Sequence, residues 1–213
     1  MKVSLTLFAT LLVYVVFGLE PETTVVPLDK DQVKEELNEI ISLIPRDNIT
    51  EIANSHLAHD EGFRAAIYYM QQPEWRAMVD SIRANPKWIA FKEMVSKFGL
   101  DIDQLIKCTK TFIENANVGD VDPKANRSLA AFVKDVEGVI PIGQMLVTFG
   151  KNKNLQNMLQ HIQTDESKAV VVDALNIPEV KKYVQELSDM ELNVKEVLTF
   201  VFAALGWGNF ESA

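Results

Sequence analysis

The sequence is short of the residues that cross-link or interrupt a chain. Among its 213 residues there are nine glycines, eight prolines and a single cysteine, Cys108. One cysteine excludes an intrachain disulfide. Because Leu105, Ile106, Thr109 and Phe112 surround it in the sequence, we expect Cys108 to be a buried structural thiol and not a nucleophile. The scarcity of glycine and proline favours regular secondary structure.

Basic charge is also in short supply. The chain has 21 Lys+Arg against 30 Asp+Glu, a formal net charge of -9 and a pI of about 4.9. With no run of Lys or Arg, electrostatic binding to nucleic acid or to anionic lipid through a basic patch is excluded. No P-loop, dinucleotide-binding fingerprint, nucleophile elbow or cysteine pair occurs. The sequence therefore identifies no catalytic residue and no cofactor, and we expect a protein that is not an enzyme.

The three histidines form no recognisable metal motif. His56 and His59 share a helix face with Asp60 close by, but the run lacks a His-Glu-x-x-His pattern and a distant third ligand. We therefore expect no metal site. No buried basic residue is a clear partner for a carboxylate either, since Arg64 and Arg76 fall on the charged outer faces of amphipathic helices.

The N-terminus has the pattern of a secretory signal peptide. One basic residue precedes an apolar run from Val3 to Phe17, and a small residue then gives a cleavage site, so we assign residues 1–18 to the signal. The run of about 15 apolar residues is shorter than the roughly 20 that a membrane-spanning helix needs. We expect a secreted chain, in which the sequons at Asn48 and Asn126 are candidate glycosylation sites. Asn126 is favoured because it lies between two predicted helices.

Apolar residues recur at intervals of three and four along most of the chain, which predicts amphipathic helices. Start signals of the Asp, Asn or Pro type precede many of these segments. In the first half the predicted helices cover residues 29–42, 47–58, 60–72, 74–84, 86–98 and 101–116. The pattern therefore predicts an all-α protein built from short helices.

The second half of the chain can be aligned with the first. Leu43-Ile44-Pro45 matches Val139-Ile140-Pro141, and Asn85-Pro86 matches Asn176-Ile177-Pro178. We infer tandem repeats over residues 28–119 and 124–210, joined through the turn-forming residues 119–123. Two six-helix halves facing each other across a pseudo-twofold axis would form one domain. Periodicity leaves open whether the space between the halves is packed or hollow.

Several of these segments resemble the insect allergen-related repeat family. The similar segments are Ile44-Pro45, the run Phe63-Arg64-Ala65-Ala66-Ile67-Tyr68-Tyr69-Met70, Glu74-Trp75, Asn85-Pro86 and Gly99-Leu100-Asp101. The family includes the cockroach major group-one allergen, mosquito midgut microvillar proteins and caterpillar nitrile-specifier proteins. The second repeat departs from the pattern, because it offers Leu155-Gln156-Asn157-Met158-Leu159 in place of the aromatic run and has no equivalent of Trp75.

This resemblance implies a helical capsule around a large apolar cavity that carries fatty acids or phospholipids. It implies secretion into the gut lumen or onto microvilli, transient membrane contact for lipid exchange or lysis, and no agreed catalytic residues. We expect a monomer. Two alternatives remain open: a nitrile-specifier-like detoxification enzyme, and a passive helical structural or coat protein.

Large apolar side chains are available either to line such a cavity or to fill it. The segment 194–207 is apolar nearly all round, so we expect a central helix there. Methionine and aromatic side chains adapt to ligands of variable shape, but they also suit an ordinary core. The candidate lining residues are Phe63, Ile67, Met70, Trp88, Phe91, Met94, Phe98, Phe112, Phe132, Met145, Phe149, Met158, Val171, Tyr183, Leu187, Leu198 and Phe202.

Overall fold

A computed structural model describes residues 27–210, which form twelve helices and no strand. The first half contains α1 (Lys30–Ser42), α2 (Arg46–His59), α3 (Glu61–Met70), α4 (Pro73–Ala84), α5 (Pro86–Lys97) and α6 (Ile102–Asn115). The second half contains α7 (Ala130–Val139), α8 (Ile142–Lys151), α9 (Lys153–Ile162), α10 (Asp165–Leu175), α11 (Pro178–Asp189) and α12 (Val194–Ala204). The predicted all-α class is confirmed. The predicted signal peptide lies outside the described residues.

Local signals explain where the helices begin. Asp60 precedes α3, and its Oδ1 accepts a hydrogen bond from the Phe63 N–H at 3.0 Å. Four other helices are capped in the same way by the side chain just before them, namely Asp29, Asn85, Thr164 and Asn193. Three helices begin with a proline, Pro73, Pro86 and Pro178, whose missing N–H is not needed in the first turn.

Helices of the first half pack mainly on helices of the second, and the pairings are reciprocal. Helix α5 packs on α10 while α4 packs on α11, and α2 packs on α7 while α1 packs on α8. Helix α1 also packs on α9. The n-th helix of the first half corresponds in order to the n-th helix of the second, so that α1 corresponds to α7 and α6 to α12. In these terms the fifth helix of one half packs on the fourth of the other, in both directions, and the second packs on the first, again in both directions. Each half therefore supplies much of the packing surface that the other half needs.

The connector between α6 and α7 is held by contacts to both halves. Ser128 N–H donates to Gly62 O at 3.1 Å, and the Leu129 N–H donates to Met190 O at 2.9 Å. A Cβ at Gly62 would lie 3.2 Å from the Ser128 Cβ, so the close approach of the connector requires glycine there. The guanidinium of Arg127 lies 4.0 Å from the centre of the Tyr69 ring. The connector is therefore a packed part of the fold.

Cys108 is exposed on α6, so the prediction of a buried thiol is wrong. Thr109, one of the residues around Cys108 in the sequence, is exposed as well. Cys108 lies one helical turn before Phe112, so helix periodicity alone does not exclude it from the apolar face. Helix α6 is only partly covered by its packing on α5, and the Cys108 and Thr109 side chains stay outside the covered part. None of the helices formed by residues 27–210 is long and apolar enough to cross a membrane.

Replacing Asp60 with alanine should lower the free energy of unfolding by about 1 kcal/mol at neutral pH, because α3 loses its N-cap. Burial by itself raises the pKa of Asp60, but hydrogen bonds from the Phe63 N–H and from His56 outweigh it and leave the pKa lowered. Because the pKa of Asp60 is lower in the folded protein, its carboxylate stabilises the fold at pH values above its ordinary pKa of 3.8. This stabilisation is lost as the pH falls through the pKa of the folded protein.

Urea unfolding should therefore be measured between pH 7 and pH 3. The difference in the free energy of unfolding between wild type and Asp60→Ala should become smaller as the pH is lowered. Glu61→Ala is the matched control, since Glu61 is an exposed carboxylate in the first turn of the same helix. A difference that stays constant through this range would contradict the assigned role of the carboxylate.

Candidate functional site

The buried apolar residues form three separate clusters within the described part of the chain. A central cluster joins α3, α4 and α11 and contains Phe63, Ala66, Ile67, Met70, Trp75, Met78, Ile82, Val118, Leu129, Ile177, Val180, Leu187 and Met190. A C-terminal cluster contains Leu159, Phe202, Leu205 and Trp207. An N-terminal cluster contains Val33, Phe98, Leu155 and Met158. The central cluster is the main core, and the two smaller clusters are joined to their neighbours through half-buried side chains such as Leu175, Phe149 and Ile162.

The structure distributes the candidate lining residues between packed and half-buried positions. Those that are buried are Phe63, Ile67, Met70, Phe98, Met145, Met158, Leu187 and Phe202. Those that remain half-buried are Trp88, Phe91, Met94, Phe112, Phe132, Phe149, Val171, Tyr183 and Leu198. The residues of the first group belong to the three clusters, except Met145, which is buried on α8 outside them. The residues of the second group keep part of their apolar surface accessible.

Several half-buried apolar side chains pack against none of the three clusters, as far as the described residues show. Helix α7 buries no residue at all, although Val136 and Val139 lie on it. On α12, Val197, Leu198 and Phe200 are likewise half-buried and outside the clusters. Large hydrophobic side chains among the described residues are mostly exposed only at Ile89 and Val147, which are 41% and 56% exposed. The apolar side chains on α7 and α12 are therefore partly covered and keep some accessible surface outside the buried clusters.

Three polar side-chain atoms are buried without a hydrogen-bond partner among the described residues. They are Nε1 of Trp88 on α5, Oε1 of Glu137 on α7 and Nε1 of Trp207 just after α12. Burial raises the pKa of the Glu137 carboxyl. Enclosed polar atoms ordinarily pair with protein, water or a ligand. Trp88 and Glu137 are therefore candidates for contact with the polar part of a bound molecule.

A pocket that is open to solvent on one side lies between α10, α11 and α12 and has a volume of about 520 Å³, similar to that of two other surface pockets. Its lining residues are Val172, Leu175, Asn176, Lys181, Val184, Gln185, Lys195, Phe202 and Phe210. Five of the nine are apolar, which suits a hydrocarbon, and the polar ones gather on α11 and the start of α12. Of the sequence-predicted lining residues, only Phe202 contacts this pocket. Sequence reasoning missed the others because none of them belongs to an aromatic or methionine-rich run.

His56 links the two halves instead of joining His59 in a metal site. Its Nδ1 lies 2.8 Å from Oδ2 of Asp60, and its Nε2 lies 3.0 Å from Oδ2 of Asp135 on α7. A doubly protonated ring can donate to both carboxylates. His59 faces elsewhere, with its Nδ1 3.0 Å from Ser55 O. No group of three His, Cys, Asp or Glu side chains in the described residues is arranged to hold a metal ion.

The similarity to known proteins agrees with this architecture. A family model described as insect allergen related repeat, nitrile-specifier detoxification, matches residues 32–198. No curated protein matches the chain significantly. The matched segment begins within α1 and ends within α12, so it includes the helices of both halves in their order. This confirms the resemblance predicted from the sequence. The chain belongs to the insect allergen related repeat family.

Proposed function

We propose that the protein is a secreted carrier that binds fatty acids or phospholipids in the apolar space bounded by its helices. The observation that carries the proposal is the set of half-buried apolar side chains on α5, α7 and α12 that lie outside the buried clusters, such as Phe91, Val139 and Leu198. Monomeric proteins rarely keep large apolar surface without a use for it. A hydrocarbon chain is the ligand whose chemistry matches that surface.

The expected binding energy is adequate and tolerant of chain length. Transfer of an acyl chain from water is worth about 0.8 kcal/mol per CH₂, so a chain of about 16–18 carbons gains on the order of 10 kcal/mol before the entropic costs of binding. This gain depends on buried area and not on directional contacts. A carrier of this kind accepts a range of chain lengths and can exchange lipid with a membrane through transient contact. We place it in the gut lumen or at the microvillar surface.

Organic extraction and mass spectrometry of the purified protein should recover fatty acids or phospholipids. After delipidation, the protein should bind cis-parinaric acid, detected by the rise in its fluorescence. Leu198→Asp should weaken that binding by about tenfold, because it removes apolar contact area and places a charge on an apolar face. Val147→Asp is the matched control, since Val147 is 56% exposed and should leave the affinity unchanged.

A lipid-free protein that takes up no parinaric acid would overturn the carrier function and favour a passive structural role. Turnover of a toxic plant product by the purified protein would instead favour the detoxification that the family description names. Equal loss of binding in Leu198→Asp and Val147→Asp would show that the introduced charge, and not the apolar face of α12, determines the effect.

A further inference from the structure

We propose that the pocket between α10, α11 and α12 binds the headgroup of a single-chain anionic amphiphile, with its carboxylate or phosphate held by Lys181 and Lys195. The inference rests on the proposed carrier function, and it assigns a headgroup site and a charge preference to that function.

The apolar side of the pocket matches the start of a hydrocarbon chain. Val172 and Leu175 come from α10, Val184 from α11 and Phe202 from α12, and Phe210 follows α12. The rings of Phe202 and Phe210 lie 5.3 Å apart at 69° and form an edge-to-face pair. The pocket volume of about 520 Å³ is within the range of roughly 300–1,000 Å³ that is usual for small-molecule sites.

The cationic side of the pocket comes from two helices. Gln185 lies one helical turn after Lys181 on the same face of α11, so the two side chains are neighbours. Gln185 Oε1 accepts from Nζ of Lys195 on α12 at 3.5 Å, while its Nε2 donates to Oδ1 of Asp189 at 2.8 Å. Gln185 thereby holds the Lys195 ammonium group at the pocket, and Lys181 lines the same pocket from α11.

Neither lysine is neutralised by a described carboxylate, because no ion pair of Lys181 or Lys195 is found within residues 27–210. Three other lysines in the described residues do have such a partner: Lys87 Nζ lies 2.8 Å from Asp173, Lys92 Nζ lies 2.8 Å from Asp103, and Lys110 Nζ lies 3.7 Å from Glu114. A second pocket, near the start of α6, balances its lysines with Asp31, Asp101 and Asp103. The α10–α12 pocket is therefore a cationic site in a chain whose net charge is -9.

The two lysines are also placed where helix stability disfavours them. Lys181 is the fourth residue of α11 and Lys195 is the second residue of α12. A cation near a helix N-terminus is repelled by the partial positive charge there, whereas a bound anion is attracted by it. An anionic group bound beside the starts of α11 and α12 would be attracted by these partial charges as well as by the two lysines.

The test uses calorimetric titration of the delipidated full-length protein with dodecanoate, dodecyl phosphate and uncharged dodecanol. Lys181→Glu/Lys195→Glu should weaken both anionic ligands by about tenfold or more, since two charge-assisted contacts become repulsive. Dodecanol binding should stay within about twofold. Glutamate suits these helix starts, so the double variant should fold, as far-ultraviolet circular dichroism will verify.

Lys107→Glu/Lys124→Glu carries the same charge change at exposed positions on α6 and the connector, and it should leave all three affinities unchanged. Lys181→Gln/Lys195→Gln should give an intermediate loss for the anions. Inorganic phosphate alone should not displace dodecyl phosphate; if it binds as tightly, the site is one for free phosphate and the amphiphile assignment is overturned.

Two further results separate this site from the carrier function itself. An unchanged dodecanoate affinity in Lys181→Glu/Lys195→Glu, with normal dodecanol binding, overturns the headgroup site and leaves the carrier function standing. Failure of the wild-type protein to bind either dodecanoate or dodecanol overturns both proposals.

Discussion

Replacing Phe63 with alanine should lower the free energy of unfolding by about 3–5 kcal/mol, as measured by guanidinium denaturation. Phe63 is 1% exposed and belongs to the central cluster. Its ring centre lies 4.8 Å from that of Phe132 and 5.5 Å from that of His56. Because Phe63 is on α3 and Phe132 is on α7, truncation leaves a cavity between the two halves and not merely within one of them.

Two variants control for the Phe63 result. Phe63→Leu retains most of the volume and should cost less than half as much as the alanine variant. Val147→Ala removes apolar atoms from an exposed site on α8 and should change stability by less than about 0.5 kcal/mol. A loss below about 1 kcal/mol for Phe63→Ala would mean that the central cluster refills the cavity and does not hold the halves together by close packing.

Phe202→Ala should also lower the free energy of unfolding by about 3–5 kcal/mol, because it leaves a cavity in the C-terminal cluster. Phe202 is fully buried, and its ring centre lies 5.4 Å from that of Trp207 in an edge-to-face arrangement. Loss of the ring exposes Trp207, so the tryptophan emission of the folded protein should shift to longer wavelength. Phe202 also contacts the α10–α12 pocket, and dodecanoate affinity should fall in parallel.

Trp207 emission separates the Phe202 effect from a general loosening of the fold. Ile89→Ala, at a side chain 41% exposed on α5, is the control and should leave both the emission and the stability near wild type. Unchanged emission in Phe202→Ala, together with a small loss of stability, would contradict the packing assigned to the C-terminal cluster.

The helix positions were predictable because their signals act over short distances. Caps and prolines such as Asp60, Asn85 and Pro73 determine where a helix begins from within one turn, and the predicted bounds in the first half agree with the structure to within about two residues. The apolar period also gives the face that each helix turns inward. The apolar period does not say which other helix that face will pack on. Phe63 and Leu198 are both large apolar residues in helical segments, yet Phe63 is buried and Leu198 is half-buried.

The contacts between distant segments could not be predicted, because the local sequence signals act only over about one helical turn. Sequence spacing suggested His59 as the companion of His56, whereas the structure gives it Asp135, 79 residues away. Lys181 and Lys195 lie on two separate helices, and only the packing of α11 on α12 brings them to one pocket. Cys108 shows the opposite error, in which neighbours in sequence were taken for neighbours in space.

On the ribosome, α1–α6 emerge before α7–α12 do. At that stage α4 and α5 lack α11 and α10, and α1 lacks both α8 and α9. Their apolar faces then have no partner and are prone to aggregate or to bind other hydrophobic surfaces. Contacts between segments so far apart in sequence also form slowly. The nascent chain is therefore protected from aggregation only when its last helices have been made. A chain that terminates early within the second half should aggregate even when only a few helices are missing.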